Sequence, residues 1–177
     1  MKKLLILLIT LLTPFEFAYG EVVRNYGHPT VYKTIYFKAG EKDANKILYE
    51  YIKNVSTKES LAQWEFTDEC VCAYKIDLDD DGVNEIIGYA FPLSFWGALD
   101  GTDLFILKKD KTKYINISYI QFSPYKNLYM MSSKENGYHD LKFNFINPQA
   151  AGYGYSSYTK GHYEYNNSKM LREQTRN

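Results

Sequence analysis

The sequence predicts an α+β domain, with one N-terminal amphipathic helix packed on a mainly antiparallel β-sheet of about six strands. Three observations lead there. Apolar residues recur at three- and four-residue spacing over a single stretch, Glu41 to Asn54. From Cys70 onward the chain breaks into short β-branched and aromatic segments divided by turn residues. The 18 Tyr and 10 Phe provide ample aromatic surface for a core.

In chain order, Val31 to Phe37 alternates β-branched and aromatic residues and reads as a strand. Gly40 ends it. In the helix that follows, Ala44, Ile47, Leu48, Tyr51 and Ile52 form one apolar stripe. Glu41 and Asp43 stand at its start and Lys53 at its end, as the helix dipole favours. Ser60 to Trp64 reads as one further helical turn. Val71 to Ile76 and Glu85 to Phe91 read as strands on either side of an acidic loop. Leu104 to Lys108 and Lys113 to Phe122 flank the turn Asp110-Lys111-Thr112. Leu128 to Ser132 and Asp140 to Ile146 flank Glu135-Asn136-Gly137, and Asn-Gly is a strong tight-turn signal. Tyr158 to Tyr165 reads as the last strand.

Residues 1–20 have the form of a secretory signal peptide. Lys2 and Lys3 precede the apolar run Leu4 to Leu12, and Ala18-Tyr19-Gly20 supplies small residues before a cleavage point at Glu21. The apolar run is well short of the roughly 20 residues that a spanning helix needs. The expected organisation is a signal at 1–20, a single domain at 21–168 and a polar tail at 169–177. The expected location is periplasmic or secreted, in a bacterium, with no stable membrane insertion after cleavage. The whole chain has a formal net charge of zero. Without Lys2, Lys3 and Glu16 it has one more acidic than basic side chain. Nucleic-acid binding calls for a basic face, so no nucleic-acid partner is expected.

Cys70 and Cys72 are the only cysteines. In a strand, residues i and i+2 lie roughly 6.6 Å apart, whereas a disulfide holds its Cβ atoms about 3.8 Å apart. The choices are a sharp turn at Val71 with a strained bridge, two free thiols, or pairing between molecules.

The most specific motif is Asp77-Leu78-Asp79-Asp80-Asp81-Gly82-Val83-Asn84-Glu85. Asp77, Asp79 and Asp81 alternate, so a tight loop can turn their carboxylates inward. Gly82 permits the bend, Val83 can offer its backbone carbonyl, and Glu85 follows at the ninth position. Hard oxygen donors in a flexible loop suit Ca²⁺, here in a structural role. The ligand set expected from sequence is Asp77, Asp79, Asp81, Val83 and Glu85. Position 12 is Gly88, so the bidentate glutamate of an EF-hand is missing. The flanks also read as strands rather than helices.

Asp-x-Asp-x-Asp-Gly-x-x-Glu followed by an apolar strand resembles the calcium loops of the FG-GAP repeats in integrin-type propellers. The likeness covers the loop alone, because a propeller needs several four-stranded blades. More loosely, the order of elements resembles small exported proteins of Gram-negative bacteria of unassigned function. The shared elements are a signal, a helix, the acidic loop, Asn136-Gly137-Tyr138-His139-Asp140-Leu141 and a Tyr-rich end. Where many of these proteins carry Cys-Gly and Gly-Gly-Cys, this chain reads Trp96 to Asp103 without cysteine.

Two function classes follow. The first is an exported non-enzymatic binding protein, of inhibitor or immunity type, stabilised by one calcium ion. Its partner would be another exported protein or a glycan, met by the aromatic stretches Phe91 to Trp96 and Tyr153 to Tyr158. The second is a periplasmic hydrolase of cell-wall or glycan material, with Asp100, Asp103 and His139 as its site. No Gly-x-Ser-x-Gly nucleophile turn accompanies His139.

Overall fold

A computed structural model describes residues 30–91, 102–122, 127–144 and 153–168. The signal segment, the tail, Asp100 and the stretch Pro92 to Trp96 lie outside the described residues.

Among the described residues, 50% are strand and 22% helix. The expected single sheet under one helix is therefore incorrect, and the fold is β-rich with two sheets of about five strands each. The first sheet has the order β1-β7-β8-β9-β10, with β1 at Val31–Ile35, β7 at Leu128–Glu135, β8 at Tyr138–Asn144, β9 at Tyr153–Thr159 and β10 at His162–Tyr165. The second has the order β2-β3-β4-β5, with β2 at Val71–Ile76, β3 at Glu85–Ala90, β4 at Thr102–Asp110 and β5 at Lys113–Asn116. The short β6, Ile120–Phe122, pairs with the start of β4. All strand pairings within the sheets are antiparallel.

The helix α1 spans Lys42–Val55 and buries Ala44, Leu48 and Ile52. A shorter helix, α2, spans Lys58–Gln63, and its first turn is capped by Thr57, whose side chain accepts from the Ser60 amide at 3.2 Å. Strand alternation then sorts the apolar residues of the second sheet onto two faces. Val71, Ala73, Ile86 and Leu107 pack under α1. Ile76, Ile87, Leu104 and Ile106 face the first sheet, where they meet Leu128, Met130, Leu141, Phe143 and Tyr163. The result is three layers: helix, second sheet, first sheet. The middle layer is buried on both sides, so Glu85 to Gly88 are consecutively buried.

Gly88 lies close against the neighbouring strand β2. A Cβ there would lie 2.5 Å from the Cys72 carbonyl oxygen and 2.6 Å from the Ala73 Cβ. The first sheet ends in a hairpin that the sequence reading took as one strand. Lys160 and Gly161 have φ of 51° and 91°, the pair of positive values that a tight hairpin turn requires. At this edge the sheets are stitched together. The Tyr163 amide donates to the Ile117 carbonyl at 2.6 Å, and the Tyr119 amide donates to the Tyr163 carbonyl at 3.2 Å.

Both cysteines are free and buried, Cys70 at the end of the 3-10 turn Asp68–Cys70 and Cys72 in β2. The Cys70 sulfur accepts from the Thr67 amide at 3.3 Å. Burial pushes the Cys72 thiol above its ordinary pKa, against the opposing effect of Tyr89 and Tyr74.

Candidate metal centre

The acidic loop joins β2 to β3 and bends back on itself through its own carboxylates. Asp77 accepts from the amides of Asp81, at 3.2 Å, and Gly82, at 2.9 Å. Asp79 Oδ1 accepts from the Asp81 amide at 3.3 Å, and Asp81 Oδ1 from the Val83 amide at 2.7 Å. These bonds wrap the backbone around the side chains. Gly82, at φ 84°, completes the bend.

The loop brings Asp77, Asp79 and Glu85 together, with one carboxylate oxygen of each within 4.8 Å of the others. Such a triad of hard oxygen donors can hold a metal ion. Asp81 and Val83, the other two expected ligands, lie on the exposed tip of the loop. Val83 is 54% exposed.

Glu85 is the unusual member. It shares strand parity with Ile87 and points into the space between the sheets, where it is 2% exposed. Its Oε2 accepts from the Leu78 amide at 3.0 Å. Burial raises its pKa from 4.5 to about 7, and the nearby charge of Asp79 adds to the rise. A buried carboxylate beside other carboxylates is costly unless a cation or a proton neutralises it.

Cationic groups from both sheets close around the loop. Lys108 of β4 places its ammonium 3.3 Å from Asp79 Oδ2 and hydrogen-bonds the Tyr138 hydroxyl. Burial works against the charge on Lys108, yet its bonds to Tyr138 and Asp79 hold its pKa above the usual lysine value. Burial likewise opposes ionisation of Asp79, but the Tyr138 and Lys108 bonds outweigh it and keep this carboxyl below the usual range. Tyr138 is pushed up to about 12, mainly by burial. On the outer side, Asp80 meets the Lys134 ammonium, and His139 Nε2 lies 3.2 Å from Asp80 Oδ2. The His139 amide donates to the Leu78 carbonyl at 2.8 Å. The loop is thus tied to the β7–β8 hairpin as well as to its own two strands.

Sequence reasoning did not single out Lys108, Lys134 or Tyr138. They approach from elements far along the chain. One local signal existed: Lys108 continues the inward row of Leu104 and Ile106 on β4, and an inward-facing lysine at a strand end calls for an anion.

Of the residues weighed for hydrolysis, Asp103 and His139 are described, and they belong to different surroundings. Asp103 bonds Gln121 Nε2 at 3.3 Å, toward the opposite end of β4 from Lys108, roughly 17 Å along an extended strand. His139 is 3% exposed, with Nδ1 placed 2.6 Å from the Met131 carbonyl and the ring stacked on Tyr32. Of the late aromatic stretch, Tyr155 is 2% exposed, and Tyr158 stacks on Tyr138 with ring centroids 3.9 Å apart. These rings belong to the packing between strands.

No family model, curated protein or solved structure matches the chain.

Proposed function

We propose that the chain is an exported, non-enzymatic binding protein in which Asp77, Asp79 and Glu85 hold one structural calcium ion. The convergence of Asp77 and Asp79 on the buried Glu85 carries this reading. Flexible, oxygen-only coordination favours calcium over magnesium, which demands near-octahedral geometry and keeps its water. The likeness of Asp77 to Glu85 to FG-GAP calcium loops points the same way. Asp81 and the Val83 carbonyl are the further ligands that this likeness implies.

The task of the ion is to hold parts together. Its ligands come from one loop, and that loop reaches β7 and β8 of the first sheet through Lys134 and His139. A cation there fastens the second sheet to the first. A hydrolytic role for Asp100, Asp103 and His139 draws no support from His139, which is buried and held through both ring nitrogens. An inhibitor or immunity-type role toward another exported protein is the binding function we favour.

Two measurements test the proposal. Thermal melting is run in calcium and in chelator, and calcium is expected to raise the melting temperature. At 100-fold excess over its dissociation constant, a ligand of the native state adds about 2.7 kcal/mol. An identical melting curve in both buffers removes calcium from the account. Capture from a periplasmic extract, with and without calcium, is expected to recover a protein partner. Hydrolysis of peptidoglycan by the purified protein, with no partner recovered, defeats the binding role.

A further inference from the structure

We propose that Lys108 is an internal counter-cation of the acidic loop, which a divalent ion must displace from Asp79 in order to bind. The inference rests on the calcium reading above. Lysine at the end of a strand ordinarily extends into water. Lys108 instead folds over the loop at the rim of the sheets, its side chain 34% exposed, with its ammonium 3.3 Å from Asp79 Oδ2 and 4.7 Å from the centroid of the Tyr138 ring. The other oxygen of Asp79 accepts from the Asp81 amide. Both oxygens of this carboxylate are therefore engaged by groups of the chain itself.

A calcium ion needs carboxylate oxygens at about 2.3–2.6 Å. Placing a divalent charge on Asp79 while an ammonium touches the same carboxylate sets two cations against each other at short range. The two states exclude one another. With Lys108 seated, the loop is closed and partly neutralised. With calcium seated, Lys108 swings toward solvent and Tyr138 loses its ammonium partner. The affinity of the site is then set by the difference between the two cations, rather than by the ligands alone. Lys134 provides an internal control. It pairs with Asp80, which is outside the convergent triad, so it does not compete.

Calorimetric titration with calcium chloride decides the matter, using the full chain as wild type, Lys108→Met, Lys108→Arg and Lys134→Met. Each protein is also melted in chelator. Lys108→Met is expected to bind calcium at least about tenfold more tightly than wild type, a difference of about 1.4 kcal/mol, and to melt lower in chelator. Lys108→Arg and Lys134→Met are expected to stay within about threefold of wild type. If Lys108→Met does not fold, Lys108→Gln takes its place in the same comparison. Calcium affinity that is unchanged or weaker in the neutral variant, with lower melting in both buffers, makes Lys108 a structural lysine and overturns the inference while leaving the calcium reading in place. If none of the proteins binds calcium, the calcium reading fails and takes the inference with it.

Discussion

Glu85 concentrates the conflict in this molecule. It is buried, acidic and close to Asp79, and its pKa rises from 4.5 to about 7 in the metal-free fold. A carboxyl whose pKa is higher folded than unfolded binds more protons in the native state. The contribution of Glu85 to stability is therefore greatest at low pH, whereas Asp79, held below the usual range, contributes in the opposite direction as pH falls. The Glu85 contribution falls as pH rises from about 4.5 to about 7 and levels off above that. Denaturant titrations in chelator across this range should show the decline. Glu85→Gln should flatten it and make the metal-free protein more stable at pH 8 than wild type. The same substitution, like Asp77→Asn, should abolish the calcium-induced rise in melting temperature. Opposite signs with and without metal separate a ligand from an ordinary buried residue. Gly88 carries a second prediction at this scale. Gly88→Ala brings a Cβ to 2.5 Å from the Cys72 carbonyl, and overpacking of this kind costs typically 1–3 kcal/mol, read as a lower denaturation midpoint.

Among the elements, α1 was the easiest to read and the least informative about function. Its 3.6-residue stripe was visible locally, and Ala44, Leu48 and Ile52 are its buried face. Leu48→Ala should cost about 2–5 kcal/mol, measured by chemical denaturation. Calcium should not alter that cost, since α1 covers the face of the second sheet turned away from the loop's contacts with β8. The β7–β8 hairpin behaves differently. Lys134 and His139 hold Asp80, and the His139 amide holds Leu78. Hydrogen exchange of the hairpin amides should slow when calcium is added, while exchange in α1 changes little. Equal protection of both elements would mean that the ion stabilises the fold globally, without acting first on the junction. The hairpin's Asn-Gly turn was legible from sequence, because Asn136 and Gly137 both adopt positive φ. The Lys160-Gly161 turn was not, because lysine is not a turn-forming signal and the flanking tyrosines read as one continuous strand.

For the whole molecule, the core between the sheets dominates. Phe143 is fully buried there, and Phe143→Ala should cost about 3–5 kcal/mol in the same denaturation assay. Although it ran β5 into β6 and missed the turn between β9 and β10, the sequence by itself determined where α1, the acidic loop and the strands around it lie, because period, turn chemistry and carboxylate spacing are local properties. It placed Asp77, Asp79 and Glu85 in one loop for the same reason. Only the tertiary structure decided that the strands divide into two stacked sheets. Alternation tells which side chains share a face, but gives no sign of whether that face meets a helix, a second sheet or water. Ile86 and Ile87 look alike in sequence, yet one packs under α1 and the other against the first sheet. The groups around the loop were also decided there, since Lys108, Tyr138 and His139 reach it through chain closures that no local pattern encodes. The acidic loop therefore sits at the junction of two sheets, with a lysine already at its mouth.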